Sequence, residues 1–264
     1  MFYFTYKKLT FILVTTSVVL ILWLSTAFIL VIVKGDTIYQ SSTSRNLTYK
    51  VPTNTEMVTN KFGEKIEILT AQSQTANREV LLYLHGNAGR IPKLVEEMSQ
   101  FGLVVAPAYP GFSASEGRPT TERLYDTLDT TMKWLVGKGV TPSQITVVGH
   151  SMGGSVAVYA GTQYPDLKKV VLISTFYNIQ SMCELQFKIL CALSGGVLNT
   201  AKLAPEMTVK VRQFHSKNDK IVPYQQGKDL FNLIGSKDKK FTDLQDTNAG
   251  DYHGGFKIAE ILSD

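Results

Sequence analysis

The sequence predicts an α/β domain in which a mostly parallel central sheet carries helices on both faces and a small helical lid. Three observations lead there. Short, near-continuous apolar runs alternate with stretches of helical spacing, as strands buried on both faces require. Most of these runs end in glycine-, proline- or asparagine-rich turns. At one strand-to-helix junction stands Gly149-His150-Ser151-Met152-Gly153, a G-x-S-x-G in the context of a strand, a tight turn and a helix.

The elements follow in chain order. Gln40-Ser41-Ser42-Thr43-Ser44 reads as a polar linker, and β-like stretches follow near residues 47–51 and 65–70. Val80-Leu81-Leu82-Tyr83-Leu84 predicts a buried strand ending in His85-Gly86-Asn87-Ala88-Gly89. A helix is expected over about 92–101, with Pro92 in its first turn. Residues 103–107 predict a strand that runs into the turn-rich segment 110–117. Leu124, Leu128, Trp134 and Leu135 recur at helical spacing and predict a helix over 120–136. The strand 144–148 and the small-residue helix 154–160 flank the G-x-S-x-G. Further strands are predicted at 170–173, 209–214 and 240–245, and helices at 224–234 and 255–262. Neither an internal repeat nor a second globular domain is legible.

The first part of the chain reads differently. Residues 9–33 carry no charge. As a helix they would reach about 37 Å at ~1.5 Å per residue, enough to cross a hydrocarbon core of about 30 Å with some tilt. A cleaved signal peptide fits less well, because its apolar region is usually about 7–15 residues and no A-x-A site follows. The expected organisation is a signal-anchor over 1–34, a juxtamembrane linker over 35–46 and one domain over 47–264. Lys7 and Lys8 before the span, against Lys34 after it with Asp36 close by, favour an extracytoplasmic domain, whereas Arg45 and Lys50 pull the other way.

Composition narrows the chemistry. The net charge is +5, and Lys7, Lys8 and Lys34 beside the span supply three of those charges. With no basic run interleaved with aromatics, a nucleic-acid partner is not expected. Cys183 and Cys191 would lie about 12 Å apart along a continuous helix, too far to bridge, so they read as buried thiols. Only a break in that helix would let them pair. With no histidine beside them, they make no metal site, and no cofactor is expected.

A serine hydroxyl needs a base within reach, and the base needs a carboxylate to hold its tautomer. Ser151 is the candidate nucleophile. Among the four histidines, His253 lies between the last strand and the last helix. That position and the chain order serine, acid, histidine select it as the base. His85 follows the first central strand, His150 is part of the turn and His215 ends a strand. The acid should follow the strand 209–214, and Asp219 sits there; Asp251 is a weaker rival, and Asp219 could instead merely cap the next helix. Two N–H donors should face the tetrahedral oxyanion, one from Met152 and one from Asn87.

Taken together these stretches resemble the α/β-hydrolase fold. Tyr83-Leu84-His85-Gly86-Asn87-Ala88-Gly89, the segment 109–117, Gly149 to Gly154 and His215 to Pro223 are similar to the membrane-anchored α/β-hydrolase domain-containing proteins, most of all their thirteenth subgroup. That resemblance implies a single-pass membrane serine hydrolase, and the related seventeenth subgroup of depalmitoylases brings thioesters into range. One departure stands out. Ala108-Tyr109-Pro110-Gly111-Phe112-Ser113 replaces the family's Asp-Tyr-Arg-Gly-Tyr-Gly.

The expected activity is hydrolysis of a small-molecule or lipid acyl ester or thioester at a membrane. The lid over about 176–208, with Ile179, Met182, Phe187, Leu190, Leu193 and Val197 at helical spacing, would supply an apolar acyl pocket. Two alternatives stand beside it. A small peptidase would need acidic groups for a cationic amine, and the lid offers only Glu184 and Glu206. A catalytically silent scaffold is the other; no protein partner is legible.

Overall fold

Eight strands form one sheet among the residues that the computed structural model describes, namely 15–23, 25, 53–73, 79–87, 91–179, 198–244 and 257–262. They are β1 (Thr53–Thr59), β2 (Lys65–Ala71), β3 (Val80–Leu84), β4 (Leu103–Pro107), β5 (Ile145–His150), β6 (Lys169–Ile173), β7 (Val211–Ser216) and β8 (Lys239–Leu244). Their spatial order is β1-β2-β4-β3-β5-β6-β7-β8. β1 and β2 pair antiparallel, as do β2 and β4; every pair from β4 to β8 is parallel.

The central strands are apolar because both of their faces are covered. Leu81 and Tyr83, Val104 and Ala106, Val148, Val171 and Ile173 share one buried cluster with α1 (Ile91–Met98) and the last described helix (Ile258–Leu262). The intervening residues, such as Leu82, Val105, Val147 and Leu172, are equally buried and point to the opposite face. That face belongs to α2 (Thr121–Gly137), α3 (Met152–Gln163) and, after the short α4 (Thr200–Leu203), α5 (Tyr224–Leu233). The last described helix is α6 in this order. Thr120 caps α2 by accepting from the Arg123 N–H.

β3, β4 and α2 lie where the apolar pattern predicts them. β1 does not: the expected stretch 47–51 lies outside the described residues, and the edge strand is Thr53–Thr59, whose Thr-Asn-Thr-Glu-Met-Val-Thr sequence is exposed along most of its length. An edge strand with one solvated face has no apolar run to announce it. β7 runs two residues beyond the predicted end, to Ser216, so His215 lies inside the sheet.

Met1–Gln40 and Ser41–Asp264 form two separate units. In the first, residues 15–23 are helical and exposed, Leu20 and Trp23 included. Among the described residues no helix is long and apolar enough to cross a membrane. Most of the expected span 9–33 lies outside them. So do most of the lid, both cysteines and His253. The lid's two ends are described and meet: the Ala201 N–H donates to the Tyr177 carbonyl at 2.9 Å.

Candidate active site

Parallel strands bring their C-terminal ends to one edge, and α/β proteins build sites there. At the end of β5, Ser151 has φ 53° and ψ −116°. A residue with a Cβ is strained in this region, and the surrounding contacts hold it there. The Ser151 N–H donates to the Ile173 carbonyl and the Ser151 carbonyl accepts from Gly154 N–H, each at 2.9 Å. Close packing makes the turn possible. A Cβ on Gly153 would stand 2.0 Å from the Leu84 carbonyl oxygen, and one on Gly154 would stand 1.9 Å from Thr175 Oγ1. The small residues thus let α3 descend directly onto β3 and the end of β6.

Met152 opens α3, so its N–H belongs to the first helical turn, where N–H groups have no partner within the helix. The loop after β3 approaches from the other side. A Cβ on Gly86 would lie 3.2 Å from Ser151 Cβ, so Asn87, the next residue, stands beside the serine turn. His85 fixes this loop. Its ring is buried and packs on Tyr109 and Phe112 at centroid distances of 4.4 and 5.0 Å. With Nδ1–H donating to the Gly86 carbonyl at 2.8 Å, Nε2 accepts from the Tyr109 N–H at 3.4 Å. Burial lowers the His85 pKa from 6.5 to about 4, against the weaker upward pull of the Gly86 hydrogen bond. The ring is therefore neutral at pH 7. Because a trans peptide points its C=O and N–H in opposite directions, the engaged Gly86 carbonyl turns the Asn87 N–H away from His85.

The departure in segment 108–113 has a structural counterpart here. Tyr109 and Phe112 hold the loop by packing on His85. Ser115 Oγ ties the same turn down, donating to the Ala108 carbonyl at 2.7 Å and accepting the Glu67 N–H at 2.9 Å.

Asp219 lies in the turn after β7, its side chain fully buried. Oδ1 accepts the N–H groups of Ile221 and Val222, both at 2.9 Å. Oδ2 lies 3.5 Å from His215 Nε2, which donates to the Val222 carbonyl at 2.8 Å. Asp219 thus organises its own loop, as a cap would, and still presents a carboxylate at the same sheet edge as Ser151. The ring of His215 sits so close to α5 that a Cβ on Gly227 would meet its Nδ1 at 2.2 Å.

The structure therefore brings Ser151, Met152, Asn87 and Asp219 to one edge. His253 lies outside the described residues, as does Asp251. Sequence reasoning missed Gly86, which touches the serine turn, and His215, which lies against the Asp219 carboxylate. The signal for His215 was available: a histidine four residues before Asp219, followed by Val222-Pro223, closes a short turn.

Known proteins are similar to this chain in sequence and fold. Residues 75–203 match the model of the hydrolase family described as serine aminopeptidase, S33. The chain is 27% identical over 188 residues to the lysophosphatidylserine lipase ABHD12 of Danio rerio, covering 61% of this chain and 49% of that protein. It is 27% identical over 113 residues to the phosphatidylserine lipase ABHD16A of Macaca fascicularis, covering 42% and 20%. The chain thus spans half or less of the length of these relatives. An esterase of Pyrococcus furiosus superposes with a TM-score of 0.63 at 16% identity, over 75% of this chain and 85% of that one. A puromycin-hydrolysing peptidase of Mycobacterium tuberculosis gives 0.62 at 17%, over 82% and 38%. Strand order and these likenesses together give the chain the α/β-hydrolase fold.

Proposed function

We propose that the protein is a serine hydrolase that cleaves carboxylic esters or thioesters of apolar acyl groups. The observation that carries this reading is the backbone of Ser151, held at φ 53° between β5 and α3 with the Gly86 loop against it. A fold maintains such strain where an exposed, fixed Oγ is needed.

In the proposed reaction Ser151 Oγ attacks the acyl carbonyl while His253 takes its proton, and Asp219 orients His253. The N–H groups of Met152 and Asn87 stabilise the oxyanion. Collapse expels the alcohol or thiol with the proton returned by His253. Water, activated by the same base, then releases the acid. The relatives' names as lysophosphatidylserine and phosphatidylserine lipases support an acyl-ester substrate. We infer further that residues 9–33 tether the domain to a membrane, as in the membrane-anchored subgroups that the motifs resemble, and that the lid over 176–208 forms the acyl pocket. Each methylene buried there is worth about 0.8 kcal/mol, so kcat/KM should climb with the first carbons of the acyl chain.

The test is direct. Ser151→Ala should abolish turnover of an acyl ester and labelling by a fluorophosphonate, and Asp219→Asn should lower kcat by orders of magnitude. Wild-type activity in Ser151→Ala would end the proposal. A preference for acetyl over octanoyl esters would remove the acyl pocket alone. The family description and the peptidase likeness favour a second reading, cleavage of an amino-terminal residue. Turnover of aminoacyl arylamides in preference to acyl esters would establish it instead.

A further inference from the structure

The opposite end of the sheet carries charges that the acyl chemistry leaves unused. Lys169 opens β6 and is only 7% exposed. Among the described residues its ammonium has no hydrogen-bond or ion-pair partner. Glu79, the acid that attracts it, is engaged by Lys168 at 2.9 Å and by the Thr146 hydroxyl at 2.8 Å. Buried charges in native proteins are paired and hydrogen-bonded, so this one calls for an anion.

Register shows what stands beside it. Val170 pairs with Val211, and the Val170 N–H donates to the Lys210 carbonyl at 2.9 Å. Lys169 and Lys210 are therefore neighbours one step earlier, about 5 Å apart at the usual strand spacing. Arg212 lies two residues beyond Lys210, and β8 sets Lys240 opposite Arg212. Side chains alternate along a strand, so Lys169, Lys210, Arg212 and Lys240 all project from the face that carries Val171 and Phe214. Arg212 is buried, Lys210 half-buried and Lys240 exposed, so the group opens to solvent toward β8. Opposing charge is scarce: Asp238 binds Arg212 Nη1 at 2.8 Å, and Glu260 on α6 stands 4.0 Å from Lys257. Burial lowers the Lys169 pKa most; Glu79 pulls it back up, and Lys210, Lys168 and Arg212 push it further down.

We propose that Lys169, Lys210 and Arg212 form a binding site for a phosphate group at the N-terminal ends of β6 and β7. A phosphate carries up to two negative charges and presents acceptor oxygens in several directions. It thereby suits cations that converge from two strands, with lysine acting as a point charge and arginine as a fork. A carboxylate offers a single charge in one plane. The ligand is either free phosphate or the phosphate of a small monoester. The five residues of β6 put about 16 Å between this site and the edge that carries Ser151. The bound phosphate is therefore remote from the serine turn, and the proposal does not rest on the hydrolase reading.

The test uses the full chain in a neutral detergent. It is titrated calorimetrically with inorganic phosphate and, separately, with glycerol 3-phosphate, at an ionic strength held constant with sodium chloride. Wild type should bind saturably, and at ten times the dissociation constant its melting temperature should rise by about 3–6 °C. Lys169→Gln should weaken binding about tenfold or more, and Lys210→Gln about three- to tenfold. The half-buried Lys210 keeps the test decisive should Lys169→Gln fail to fold. Lys138→Gln, which removes a lysine paired with Glu56, should bind as wild type does. Without phosphate, Lys169→Gln should melt at or above wild type, because it removes a buried charge that lacks a partner. Tighter binding of inorganic phosphate makes free phosphate the ligand, and tighter binding of glycerol 3-phosphate makes it a monoester. No saturable binding of either, or equal binding by wild type and both glutamine variants at 169 and 210, overturns the proposal. So does a Lys169→Gln protein that melts lower without phosphate, the outcome of a lysine already paired within the fold. Binding is read without an acyl substrate, so failure here leaves the Ser151 reading untouched, and an active Ser151→Ala leaves the phosphate site standing.

Discussion

Replacing Ser151 by glycine should stabilise the protein while destroying its activity. At φ 53° and ψ −116° a side chain costs about 1–3 kcal/mol in backbone strain. Glycine is free of that cost but loses more chain entropy on folding, about 0.5–1 kcal/mol. The balance is a gain of about 0–2.5 kcal/mol, about 1 kcal/mol at its centre. For a domain of this size about 2–4 °C accompanies each kcal/mol, so the melting temperature should rise by about 2–5 °C, and by no more than about 10 °C. Ser151→Ala provides the control, because it removes the hydroxyl and keeps the Cβ, and with it the strain. Both variants should be inactive toward an acyl ester, and only glycine should melt higher. The measurement is thermal unfolding of the three proteins side by side. Should Ser151→Gly melt at or below Ser151→Ala, the turn is not strained and the argument from its geometry collapses.

Three further outcomes are expected. Gly153→Ala should lose at least about 1–3 kcal/mol, because its Cβ would meet the Leu84 carbonyl at 2.0 Å; Gly137→Ala, with nothing within 4 Å, should gain up to about 1 kcal/mol, and chemical denaturation of both checks the contrast. His85 has a folded pKa of about 4 against 6.5 when free, so the unfolded chain binds the extra proton between those values. Its contribution is complete above pH 6.5 and is lost as pH falls toward 4, by about 3 kcal/mol in all; His85→Gln should flatten stability in that window, and an unchanged slope would disprove the assignment. Truncation before residue 47 should release the domain from membranes. In the intact chain, protease added outside the cell should reach the domain, and protection until the membrane is broken would reverse the proposed orientation.

What could be read in the sequence follows from where burial acts on both sides of an element. β3 and β4 lie under helices on each face, so nearly every residue is apolar and the run announces itself. β1 buries little and left no such mark. The serine turn was legible for a steric reason: only glycine fits at 153 and 154, where the Leu84 carbonyl and Thr175 press in, so the spacing of glycines records the packing. Asp219 was legible because a carboxylate that closes its own turn must stand a fixed distance after a strand, a local constraint. Ser174 and His215 obey no local rule. Their meaning arises from registry across β5, β6 and β7, and residues 151, 174 and 215 are remote in sequence. A small polar residue after an apolar strand looks like any turn until the neighbouring strands are aligned. The same alignment sets a strained, unsatisfied serine in one row with Ser151 and His215 across the sheet edge.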